Sequence, residues 1–211
     1  MLHEKLIRWA FFFIGLMVLA IGVALTIKGK IMGIGPWDVF HYGLYVQFGL
    51  TIGTWSIIIG FILIFTTSAL TRTLPQIGAL MNMLFLGLFI DFFHLVLPNP
   101  NSLFMEIFFF VLGVLILGYG IGLYVAADLG AGPRDSIMLL IVKETGWSIK
   151  WVRNGIEVTV FLFGWLLGGP VGIGTIFIAF FLGSIIGVSI PQSKKLLHFI
   201  LKKAQVTQVQ V

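Results

Sequence analysis

Long apolar runs broken by short polar punctuation set the pattern of this chain. A membrane-crossing helix needs about 20 mostly apolar residues. Six stretches meet that need: roughly 9–27, 52–71, 77–97, 103–126, 152–169 and 172–191. The fifth is the weakest, because Arg153 and Glu157 fall in its first turns. Two connections, 28–51 and 127–151, are themselves apolar yet too short to cross a bilayer and return. Each begins with glycines and a proline, in "GIGPWDVFHYGL" from Gly33 and "GAGPRDSIMLLI" from Gly130. Proline suits the first turn of a helix, where its missing N–H costs nothing, and the glycines let the chain turn sharply before it. Short helices are therefore predicted over 36–47 and 133–144, lying in the interface or re-entering the membrane.

Composition agrees with this pattern. Of 211 residues, 59% are hydrophobic and only 10% charged, against about 25% charged in a soluble domain. So few polar groups cannot cover a water-facing surface, which makes the chain an all-α integral membrane protein in one membrane domain, 1–211. With no cysteine, disulfides, Cys-ligated zinc and thiol catalysis are excluded. A cleaved signal peptide would carry a shorter apolar core and a small-residue cleavage site; the N-terminus reads instead as an uncleaved first span.

The net charge of +5 would suggest nucleic acid in a soluble protein. Here the six-span scheme sorts the charge by side. Of thirteen Lys and Arg, only Lys28 and Lys30 fall on one side; the other receives the remaining eleven, Arg134 and Arg153 among them. The positive-inside rule then places both termini in the cytoplasm of a bacterial plasma membrane. The tail, 192–211 with "KKLLHFILKK", reads as a basic amphipathic helix on anionic inner-leaflet lipids.

The two halves repeat. Gly15 and Gly22 align with Gly113 and Gly120; allowing one extra residue, Gly33, Gly35, Pro36 and Asp38 align with Gly130, Gly132, Pro133 and Asp135. "GLTIG" from Gly49 aligns with "GWSIK" from Gly146, and Ile77, Gly78, Phe85, Leu86 and Gly87 with Ile173, Gly174, Phe181, Leu182 and Gly183. Each copy, about 9–97 and 103–191, holds three spans. Three is odd, so the second copy enters from the opposite side, giving a 3+3 inverted-topology repeat of the kind used by secondary transporters.

Asp38 and Asp135 fall in the first turn of the short helices, where a carboxylate complements the positive dipole end. Each then caps its own helix, or the two helix starts together face a central cavity and bind a polar solute; the residues alone leave both open. The candidate site residues are Gly35, Pro36, Asp38, Gly132, Pro133, Arg134 and Asp135, with Asn82 and Asp91 on the third span. Asn82 and Asp91 point to nearly opposite helix faces. Asp91 is placed to pair with His94, and Arg153 with Glu157. "GYGIG" (118–122) and "GSIIG" (183–187) offer small faces for close helix approach, and the former also allows local unwinding. No phosphate-binding loop, zinc-protease motif or nucleophile elbow occurs. The reading is of a non-enzyme without cofactor or metal, with no nucleic-acid partner and with homo-oligomerisation left open.

The run "GLMVLAIGVALTIKGKIMGIGPWDVFHYGL", with "GLTIGTWSIIIG" and "GLFIDFF" after it, resembles the YczE group of the YczE/YyaS/YitT membrane proteins of bacilli and other Gram-positive bacteria. The resemblance spans nearly the whole chain and is sharpest at Gly35-Pro36-Trp37-Asp38. The second copy departs from it: Arg134 stands in place of the tryptophan, and "GTIFIAFFLG" holds neither the asparagine nor the aspartate of the first copy's third span. The resemblance implies a polytopic plasma-membrane protein. Because some relatives are thought to support peptide-antibiotic production, it also implies an accessory or export role. Two functions therefore compete: a small-solute permease, and a non-transporting accessory protein of a biosynthetic or export system.

Overall fold

The computed structural model describes residues 2–130 and 132–209. Among them every long element is a helix: α1 (Leu2–Lys28), α2 (Pro36–Phe48), α3 (Ile52–Thr71), α4 (Ile77–Val96), α5 (Leu103–Ala126), α6 (Pro133–Thr145), α7 (Ile149–Leu166) and α8 (Ile173–Val209). Five stretches are long and apolar enough to cross a membrane: Glu4–Lys28, Ile52–Thr71, Ile77–Val96, Leu103–Ala126 and Ile173–Ala204. The fifth expected span, 152–169, forms as α7, but Lys150, Arg153 and Glu157 keep it out of that group. The outward faces are apolar, with Phe104, Leu166 and Phe180 more than three-quarters exposed. An apolar exterior around a packed interior belongs in lipid, and the chain is a multi-pass membrane protein.

The centre of the bundle is the antiparallel pair α1 and α5, which glycines bring into backbone contact. A Cβ on Gly22 would sit 2.6 Å from Leu117 Cα, and one on Gly120 would sit 2.5 Å from Leu19 Cα. Likewise a Cβ on Gly15 would overlap Tyr124, and one on Gly113 would overlap Thr26. The buried core follows this seam through Leu16, Leu19, Ala20, Val23, Val114 and Leu117. α4 packs on α1, and α8 on α5.

Two local expectations are corrected. α5 does not unwind at "GYGIG", because each glycine there seats a neighbour: Ile185 against Gly118, Leu19 against Gly120 and Ser189 against Gly122. The Ser189 hydroxyl also donates to the Gly118 carbonyl at 2.8 Å. No separate tail helix forms over the described residues 192–209. α8 runs through Pro191 to Val209, and residues 210–211 lie outside the described residues. The proline ring presses on the carbonyl four residues back. That residue is Gly187, where an added Cβ would meet nothing within 4 Å.

Candidate functional site

The site begins with two matched turns. α2 and α6 each run for 13 residues, start on a proline, and follow an N-cap glycine in extended backbone (φ −63° at Gly35, −64° at Gly132). Two residues earlier the chain needs positive φ, at Gly33 and Gly130, where a side chain would also overlap Thr175 and Gln76 respectively. α2 is seated on α7: a Cβ on Gly43 would lie 2.7 Å from the Gly164 carbonyl, and one on Gly164 would lie 2.6 Å from Phe40 Cα. α6 is seated on α3.

These seats bring the two helix starts together. Gly35, Pro36, Trp37 and Asp38 line one wall of a cavity of about 610 Å³, and Gly132, Pro133, Arg134 and Asp135 line another. The volume is within the usual range of about 300–1,000 Å³ for small-molecule sites. Ser56, Asn82, Asn154 and the Arg153–Glu157 pair add polar lining, while Leu86, Leu117, Ile121 and Leu182 supply an apolar body. Arg153 Nε donates to Glu157 at 3.1 Å, as its spacing predicts.

Arg134, a candidate site residue that the charge sorting counted with the cytoplasmic-side loops, has its guanidinium 4.6 Å over the centre of the Trp37 ring. Stacked there, a guanidinium keeps its in-plane N–H donors free. Arg134 and Asp38 feel each other's charge, yet no ion pair joins them. Asp38 is 7% exposed and His41 2%; both line the cavity. Asp38 makes no hydrogen bond among the described residues. Asp135 holds the same first-turn position of α6 that Asp38 holds in α2, so each carboxylate complements a helix start.

One end of the cavity is shut and the other open. α3 packs along α4, with a Cβ on Gly60 placed 2.5 Å from Met83 Cγ and one on Gly87 placed 2.5 Å from the Gly53 carbonyl. Asp91 ties this seam: it accepts from the Gly53 amide at 2.8 Å and from the Thr51 hydroxyl. Asp91 therefore lies outside the cavity lining and does not pair with His94, whose Nδ1 is buried without a partner among the described residues. α7 and α8 have no such seam. Gly155, Gly183 and Gly187 all face open space, so "GSIIG" does not serve the close packing its spacing suggested. The lining continues between these two helices past Arg153, Asn154, Ile186 and Ile190. A second cavity, beside Gln76 and Asp128, shares Tyr124, Gly132 and Asp135 with the first.

Of the predicted site residues, Gly35, Pro36, Asp38, Asn82, Gly132, Pro133, Arg134 and Asp135 thus meet at one cavity. Trp37, His41, Asn154 and the Arg153–Glu157 pair line it as well. Trp37 is the one whose place is legible in the sequence, since it occupies the same column of the repeat as Arg134.

Residues 6–191 match DUF6198, a family of unknown function. The chain is a DUF6198 member. Among its relatives, the "Uncharacterized membrane protein YczE" of Bacillus subtilis (strain 168) is 53% identical over 199 residues, covering 94% of this chain and 93% of the relative. An "Uncharacterized protein" of Haemophilus influenzae is 36% identical, covering 81% of this chain and 78% of that one. The "Uncharacterized protein YyaS" of Bacillus subtilis (strain 168) is 28% identical over 92% of this chain and 97% of its own length. The resemblance to the YczE group thus holds for this DUF6198 member across nearly its whole length. No solved structure matches it.

Proposed function

We propose that this DUF6198 member is a small-solute permease, not an enzyme, built as a 3+3 inverted repeat around the cavity between its two half-helices. The observation that carries the proposal is the meeting of the two helix starts, with Arg134 stacked on its repeat counterpart Trp37. Two equivalent positions of a duplicated chain touch only near the pseudo-two-fold axis, and transporters of this class bind there. Reciprocal contacts support the axis. Under the alignment that puts Gly22 on Gly120, the pair Gly22–Leu117 becomes Gly120–Leu19, and Gly15–Tyr124 becomes Gly113–Thr26. Gly78 against Leu129 and Gly174 against Met32 swap in the same way. The helix partners swap too, α2 on α7 answering α6 on α3.

The departures from symmetry support alternating access. The α3–α4 seam is closed and its counterpart, α7–α8, is open; exchanging the two states moves the opening to the other face. Removing Arg134 and Arg153 from the loop count leaves nine basic residues against Lys28 and Lys30, so the charge bias still favours cytoplasmic termini in a bacterial plasma membrane. On that orientation the cavity opens inward. The test is solute flux in proteoliposomes across a panel of labelled amino acids, organic acids and amines. Asp38→Asn is expected to abolish the flux of the transported solute while leaving the thermal unfolding profile intact. Absence of flux for the whole panel, together with full complementation of a deletion strain by Asp38→Asn, would reject the permease.

A further inference from the structure

We infer that the cavity selects a zwitterion: a molecule carrying one ammonium and one carboxylate or phosphate on an apolar body. This deepens the permease reading and rests on it. The first observation is charge balance. Arg153 and Glu157 neutralise each other at 3.1 Å, leaving Asp38, Asp135 and Arg134, which sum to one negative charge. The two half-helix starts, at Pro36 and Pro133, each contribute roughly half a positive charge. The lining is therefore close to neutral as a whole, and a ligand of zero net charge disturbs it least.

The second observation is that the opposite charges are separated in place. Asp38 is more than nine-tenths buried, lines the cavity and has no hydrogen-bond partner among the described residues. Arg134 lies over the Trp37 ring and makes no ion pair among the described residues. The polar atoms of both groups are open to the cavity, where a charged ligand group forms a charge-assisted hydrogen bond with each. A ligand ammonium at Asp38 and a ligand anion on the free edge of Arg134 satisfy both at once. A purely anionic ligand leaves Asp38 facing like charge, and a purely cationic one does the same to Arg134. Leu86, Leu117, Ile121 and Leu182 then enclose the apolar body.

Two sources offer this chemistry, a free amino acid and the headgroup of a zwitterionic phospholipid reaching in through the gap between α7 and α8. Purified protein is titrated with L-leucine, with its deaminated acid and with its decarboxylated amine, reading thermal stabilisation and tryptophan emission. Trp37→Phe identifies the part of the emission change that comes from the stacked ring. The same titration is repeated in nanodiscs of phosphatidylethanolamine and of phosphatidylglycerol. The expected result is binding of leucine at least tenfold tighter than either single-charge analogue. Arg134→Gln and Asp38→Asn should each remove that advantage while each variant still unfolds cooperatively. Weaker leucine binding in phosphatidylethanolamine than in phosphatidylglycerol also supports the zwitterion and assigns it to lipid. If the acid or the amine alone binds as tightly as leucine, the zwitterion is wrong while the cavity still binds solute. If no probe binds and neither Arg134→Gln nor Asp38→Asn changes anything, the inference and the permease both fail.

Discussion

Replacing single glycines with alanine separates packed seams from the open one. At Gly22 the new Cβ would stand 2.6 Å from Leu117 Cα and 2.7 Å from Leu117 Cβ; at Gly120 it would stand 2.5 and 2.8 Å from the same atoms of Leu19. Both neighbours include backbone, so the helices must part. Overpacking of this kind costs about 1–3 kcal/mol, and backbone contacts belong at the upper end. Alanine returns up to about 1 kcal/mol in helix propensity, leaving each variant destabilised by about 2 kcal/mol. The two values should agree, because the contacts are reciprocal. Gly183, the repeat counterpart of the packed Gly87, has nothing within 4 Å of an added Cβ. Gly183→Ala is therefore expected to be neutral or stabilising by up to about 1 kcal/mol. Equilibrium unfolding of the purified protein in mixed detergent micelles reads all three. A loss at Gly183→Ala equal to that at Gly22→Ala would mean that α7 and α8 pack in solution, and the reasoning from the open gap would be refuted.

Three further outcomes follow from the same geometry. Gly183→Leu should slow flux severalfold at unchanged stability, because the larger side chain holds open a seam that has to close; normal flux would show that closure is not needed. Asp91→Ala removes two hydrogen bonds to a carboxylate at the α3–α4 seam, worth about 1.5–3 kcal/mol each. It should raise the population open on that face by tenfold or more, seen as faster solvent access to the buried Ser56 in hydrogen exchange and thiol labelling. Arg134→Lys keeps the charge but loses the planar stack on Trp37; it should weaken L-leucine binding severalfold while Trp37→Tyr retains most of it.

The outline of this bundle was legible because proline and glycine have few uses. Pro36 and Pro133 after paired glycines place two short helices, and the structure extends each by a single residue. Apolar length gives five of the spans outright. What the sequence hid were partners. Arg134 stands among the candidate site residues in the sequence, but its partner shows only once α6 is known to begin in the bundle beside Trp37. Asp91 looks like a partner for His94 because they are three residues apart, yet a better donor set, the Gly53 amide and the Thr51 hydroxyl, arrives from another helix. "GYGIG" and "GSIIG" carry the same small-residue spacing, and only the first is buried against neighbours. Spacing shows what a helix face allows; which face is occupied depends on the rest of the fold.

Alternating access requires that the cavity between the two half-helices be reached from one face of the membrane at a time. The natural absence of cysteine makes one measurement direct. Asn82, on the cavity wall and 6% exposed, is replaced by cysteine, and sealed vesicles of each orientation are treated with a membrane-impermeant thiol reagent. The account predicts rapid labelling from the cytoplasmic face alone, slowed by L-leucine, and labelling from the opposite face once Asp91→Ala is added. Labelling from neither face, or at the same rate from both in the parent protein, would contradict it.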